Sequence, residues 1–119
     1  MPARVATFSG MASTHVSELT DANFETEVVK SDLPALVDFT AAWCAPCRVI
    51  LPTITAIADS YQGRVKVGKL DVDLHQVTAQ RYNVRSMPTL LFFKGGRVVG
   101  QIIGAVPRHK VEAELAKHL

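Results

Sequence analysis

The stretch ALVDFTAAWCAPCRVILP, residues 35–52, decides the fold. Ala35–Thr40 is apolar apart from Asp38 and Thr40 and has strand length. Beyond the cysteines, Ile50, Ile54, Ile57, Ala58 and Tyr61 recur at helical spacing, and Gly63 ends the repeat. The segment therefore predicts a strand, a loop carrying C-x-x-C, and a helix that the second cysteine has already entered. Pro52 falls inside this helix and lacks an N–H, so a kink is expected near the first turns.

Working outward, His15–Leu19 is a short strand candidate. Thr20 suits a helix N-cap, with Leu19 and Phe24 placed to staple across it. Phe24 and Val28 carry an apolar face to about Val29, and Asp32-Leu33-Pro34 breaks the helix. Downstream, Arg64–Val72 alternates as a strand does, and His75–Tyr82 reads as a short helix. Thr89–Phe93 and Arg97–Ile103 are strands joined at Gly95-Gly96, where both glycines permit the positive φ of a two-residue hairpin turn. Pro107 suits the first turn of a last helix, with Val111 and Leu115 on its buried side. The early alternation of strand and helix implies parallel pairing, and the hairpin implies an antiparallel strand. A mixed sheet with helices on both faces follows. The chain has no internal repeat and no low-complexity segment.

Composition narrows the function classes. The chain has 119 residues, 48% hydrophobic and 20% charged, the balance of one globular domain. A net charge of +2 without a basic cluster is no nucleic-acid footprint. The longest uncharged apolar stretches, around 49–58 and 98–107, are about half a membrane span, so no membrane role is expected. Residues 1–14 lack the apolar block of a secretory signal and are expected to form a flexible tail before a domain at 15–119. Met11 offers an alternative start. With only two cysteines and no secretory pattern, a reducing cytoplasm is the expected compartment.

The cysteine pair carries the chemistry. Residues three apart near a helix start lie on one face and can close a disulfide. Cys44 is placed where backbone N–H groups lack partners and the helix dipole is positive, which stabilises a thiolate. The loop also leaves the carboxyl end of a strand, where open sheets gather their reactive groups. Pro46 stiffens the turn between the sulfurs. Two other readings compete. A structural zinc site needs about four ligands, and neither a second cysteine pair nor ligand-like spacing among His15, His75, His109 and His118 supplies them. A purely structural disulfide closing so short a loop adds little stability. Asp38, on a strand covered on both faces, is expected to be buried with a raised pKa, the alternative being a strand-end carboxylate facing water. From there it can exchange a proton with Cys47 directly or through water. Lys69, on the alternating run VKVGKLDV, is either its cationic neighbour or a solvated strand lysine.

VDF at 37–39, WCAPCR at 43–48, Pro52, KLDVD at 69–73, SMPTLLFFKGG at 86–96 and Gly104 together resemble the thioredoxin family, in its order and spacing over residues 15–119. The resemblance implies an α/β thioredoxin fold: a mixed five-stranded sheet flanked by four helices, its last two strands a hairpin. It implies that Cys44 is an exposed nucleophile and Cys47 a buried resolving cysteine. Asp38 is similar to the family's buried acid for proton transfer, and Lys69 to the lysine that tunes it. Met87-Pro88 resembles the segment in which a cis proline faces the cysteines. Trp43, Ala45, Pro46, Met87, Pro88, Ile103, Gly104 and Ala105 would then form an apolar platform on which a target peptide lies extended. The implied activity is protein-disulfide reduction by a monomer, with disulfide-containing target proteins and thioredoxin reductase as partners. Electrons would come from NADPH through that reductase. No cofactor is expected to bind this chain, which has neither G-x-G-x-x-G nor a P-loop, and no metal is expected. Two departures stand out: Ala45 replaces a usual glycine, and Thr40 replaces a usual tryptophan. No histidine lies between the cysteines, which favours a reductant over an oxidase or isomerase of the same fold. A binding or assembly module using the apolar platform is the non-enzymatic alternative.

Overall fold

A computed structural model describes residues 15–119; the expected tail at 1–14 and the alternative start at Met11 lie outside the described residues. The elements are β1 (Val16–Leu19), α1 (Glu25–Val29), β2 (Ala35–Thr40), α2 (Ala45–Ser60), β3 (Lys66–Asp71), α3 (Gln76–Arg81), β4 (Thr89–Lys94), β5 (Arg97–Ile103) and α4 (Arg108–Ala116). The sheet order is β1-β3-β2-β4-β5. β3 pairs in parallel with both β1 and β2, while β4 is antiparallel to β2 and to β5. This is the mixed five-stranded sheet with four flanking helices that the sequence predicts.

Alternation along β2 divides the core in two. Leu36 faces one side with Leu90 and Phe92, under Ile50, Ile54 and Ile57 of α2 and Val111 and Leu115 of α4. Val37 and Phe39 face the other with Leu91 and Phe93, under Phe24 and Val28. Phe24 and Tyr82 both meet the Phe93 ring edge-on, with centroids 5.7 and 5.2 Å away. Burial of each such large side chain contributes about 1.5–3 kcal/mol, so the central strand is anchored from both faces.

Local details depart from the simplest sequence expectation. The N-cap of α1 is Phe24 rather than Thr20, and no side chain caps it; in the turn just before, the Asn23 N–H donates to Thr20 Oγ1 at 3.0 Å and the Thr20 N–H to Asn23 Oδ1 at 2.7 Å. The helix then winds wider than an α-helix, with the Lys30 N–H donating to the Glu25 carbonyl. Pro107 stands one position before α4, where its carbonyl accepts the Lys110 N–H at 3.0 Å. Pro52 lies inside α2, eight residues into Ala45–Ser60, as the sequence places it. In the hairpin, Gly95 and Gly96 take φ of 61° and 81°, a conformation that side chains on Cβ disfavour.

Candidate active site

The end of β2 delivers Cys44 to the first turn of α2. Cys44 is extended, with φ −93° and ψ 110°, and caps the helix: the Cys47 N–H donates to Cys44 Sγ at 3.2 Å. The two sulfurs are joined in a disulfide, with their Cα atoms 5.3 Å apart. Pro46, in the same first turn, removes one N–H that would otherwise lack a partner. The resemblance implies an exposed Cys44 and a buried Cys47, yet in the disulfide each is only 3% exposed. The cause is packing: both sit in a small cluster with Ala41, against Val72 and Met87. Position, not exposure, separates them. Cys44 holds the helix terminus, with its Sγ 3.6 Å from the Met87 carbonyl oxygen, and Cys47 borders the cleft beneath.

That cleft, about 270 Å³ in volume, is lined by Asp38, Lys69, Glu18 and Cys47 among others. Strand register explains the grouping. Glu18 of β1 lies opposite Lys69 of β3, and Lys69 lies opposite Asp38 of β2, so three charged side chains form one cross-strand row. Asp38 is 1% exposed and its Oδ1 has no hydrogen-bond partner among the described residues. The strand-end carboxylate facing water is thereby overturned. Desolvation pushes the Asp38 pKa up to about 7, against a smaller opposing pull from the Lys69 charge. Lys69 is half-buried and its ammonium reaches Glu18 Oε1 at 3.9 Å. Glu18 escaped the sequence reading; its only signal is the parity of its place in a short strand, and parity becomes informative only once the register to β3 is known.

The platform residues come from three separate segments. Met87-Pro88 is a cis peptide, as the resemblance implies. Gly104 has φ 98° and its N–H donates to the Pro88 carbonyl at 2.9 Å, tying the end of β5 to the proline. Trp43, Ala45, Pro46, Ile103 and Ala105 are exposed, Met87 and Gly104 are half-buried, and Pro88 is buried beneath them. Trp43, 66% exposed, is held by its indole N–H, which donates to Asp73 Oδ2 at 2.8 Å. Asp73 is a second residue the sequence reading missed, thirty positions from its partner in the chain. Leu74 and Val77, just beyond it, are also exposed apolar side chains.

Among the described residues, no group of three or more His, Cys, Asp or Glu is placed to hold a metal ion. No helix among them is long and apolar enough to cross a membrane.

Comparison with known proteins gives concordant matches. The thioredoxin family model matches residues 15–117. The chain is 47% identical over 104 residues to the thioredoxin of Porphyra purpurea, covering 87% of this chain and 97% of that protein. It is 46% identical over 103 residues to thioredoxin 1 of Nostoc sp., covering 87% and 96% respectively. It is also 43% identical over 107 residues to thioredoxin C-2 of Corynebacterium nephridii, covering 90% and 99%.

Proposed function

The chain belongs to the thioredoxin family, and we propose that it acts as a protein-disulfide reductase with Cys44 as nucleophile and Cys47 as resolving thiol. The Cys44 thiolate attacks one sulfur of a target disulfide. A Cys44–target S–S bond forms, the target S–S bond breaks, and the departing target thiolate takes up a proton. Cys47 then loses its proton to Asp38 and attacks Cys44 Sγ. The mixed disulfide breaks, the second target sulfur leaves as a thiol, and the chain carries the Cys44–Cys47 disulfide. Two electrons and two protons have passed to the target.

The observation that carries this reading is Cys44 as the cap of α2, with the Cys47 N–H directed at its sulfur. A thiolate there is stabilised by that hydrogen bond and by the positive helix end. Asp38 supports the second step, because a carboxyl with a pKa of about 7 both accepts and releases a proton near neutrality. The cleft that it shares with Cys47 is wide enough for water to relay the proton. Lys69 tunes Asp38 by its charge. Trp43, Ala45, Pro46, Met87, Pro88, Ile103, Gly104 and Ala105 receive an extended segment of the target, which pairs with the backbone beside the cis proline.

The oxidised pair is re-reduced by thioredoxin reductase at the expense of NADPH. We place the protein, as a monomer with its domain at 15–119, in the cytoplasm, where thiols stay reduced; the support is a cysteine content confined to the reactive pair. The test is to trap the intermediate. Cys47→Ser is expected to accumulate target proteins in mixed disulfide with Cys44, and Cys44→Ser to trap none. Wild type, supplied with thioredoxin reductase and NADPH, should reduce insulin disulfides. An untrapped Cys47→Ser variant together with inactive wild type would overturn the assignment.

A further inference from the structure

Beside the platform lies a second cleft, about 360 Å³, that the disulfide chemistry does not use. Its floor comes from β4 and β5, through Thr89, Gln101 and Ile103, and its wall from the segment after α3, through Tyr82, Arg85 and Ser86. Among the described residues lining it, Arg85 is the one charged side chain, and no carboxylate is present. The guanidinium is aimed locally: its Nε donates to Asn83 Oδ1 at 3.0 Å, and Asn83 itself is held at φ 58° at the end of α3. No carboxylate pairs with Arg85 among the described residues. The wall is braced by the Thr89 hydroxyl, which donates to the Ser86 carbonyl at 2.6 Å. An exposed cation, fixed at one nitrogen and free at the planar fork, suits a carboxylate.

The cleft adjoins the reacting sulfur. Ile103 belongs both to it and to the platform. Arg85 stands two residues before Met87, whose carbonyl is 3.6 Å from Cys44 Sγ. Arg85 and Met87 lie in the bent segment that precedes β4, so their Cα atoms are at most roughly 7 Å apart. A target laid along Met87 therefore brings a residue two or three positions from its reacting cysteine to the mouth of the cleft.

We infer that this cleft is a specificity subsite for target proteins, in which Arg85 receives an aspartate or glutamate side chain two or three residues from the target's reacting cysteine. The inference rests on the reductase reading above. Gln101 and the Ser86 hydroxyl add neutral hydrogen-bonding groups at the same site. The pair is partly exposed, so its contribution is expected to be modest and salt-sensitive, about threefold to fivefold in rate.

The test uses the full chain in its reduced form and peptides whose single cysteine is linked to nitrothiobenzoate, with Glu, Gln or Lys two or three residues to either side. Wild type is expected to reduce the Glu peptides about threefold to fivefold faster than the Gln peptides at low salt, with the Lys peptides slowest. High salt should compress the ratio. Arg85→Gln should bring the Glu-to-Gln ratio to about one whatever it does to absolute rates, and Gln101→Glu should push it below one. Equal rates for Glu and Gln peptides in wild type would overturn the inference, as would a preference that survives in both variants. Reduction of the Gln peptide reports separately on the reductase reading, so the two can fail independently.

Discussion

At the N-terminal end of α2, Asp38 is buried with an oxygen unpartnered, and its pKa is pushed up to about 7. At the C-terminal end of the same helix, Glu112 accepts a hydrogen bond from the Tyr61 hydroxyl at 2.8 Å and another from the Arg108 guanidinium. These two partners, Tyr61 first, hold the Glu112 carboxyl below its usual range. Both carboxyls have an arginine or lysine nearby, yet they titrate in opposite directions. The difference lies in solvation and in direct donors. Asp38 has lost water and gained only a cation in the neighbouring strand, whereas Glu112 keeps some water and gains two donors. One end of the helix carries a carboxyl that titrates near neutrality, and the other a carboxyl that keeps its charge.

The comparison is tested most strongly by stability against pH. Asp38 binds its proton more tightly folded than unfolded, so the neutral carboxyl stabilises the fold below about pH 4 and that contribution is lost as pH rises to about 7. Asp38→Asn removes this titration. Urea unfolding of the oxidised forms should show the variant more stable by on the order of 4 kcal/mol at about pH 8, and nearly level with wild type at about pH 4. A gap independent of pH would break the contrast with Glu112.

Next comes rate. The same variant should resolve mixed disulfides at least about tenfold more slowly at neutral pH, toward the low side for a positioned base because a thiol ionises partly unaided. Quenched-flow trapping of the mixed disulfide measures it, and an unchanged rate would remove Asp38 from the mechanism.

Glu112→Gln should lower stability by about 1 kcal/mol or less, since the group is half-exposed, and leave insulin reduction unaltered. Because the Glu112 pKa is lowered, this contribution is present above the normal carboxylate range and fades as pH falls, the reverse of Asp38. The smallest expected effect is at Asp73. Asp73→Asn should shift Trp43 fluorescence and slow protein substrates by about twofold, through loss of one exposed charge-assisted hydrogen bond.

Much of the fold was legible because its signals are local. The run ALVDFT, the helical repeat after Cys47 and the Gly95-Gly96 turn each declare themselves within a few residues. The burial of Asp38 was expected from a strand covered on both faces, and the desolvation that comes with it is what raises its pKa. Less legible were the contributions that depend on register. Glu18 joins Lys69 and Asp38 only because β1 and β2 flank β3 in one alignment. The equal covering of Cys44 and Cys47 depends on Met87 and Val72 arriving from distant segments. The resemblance to a family supplied the cis geometry at Met87-Pro88; nothing in the dipeptide alone distinguishes it from the commoner trans form.

What the sequence determined by itself is the order of elements, the placing of a dithiol at a helix start and the carboxylate six residues before it. Backbone propensity and hydrophobic period act over one or two turns, and these features need no more. Tertiary structure alone decided which charges share a row, which carbonyl faces Cys44, how Trp43 is held, and that Arg85 opens on a cleft without a carboxylate. Those depend on strand register and on contacts between segments far apart in the chain, where a shift of one residue turns every side chain to the other face.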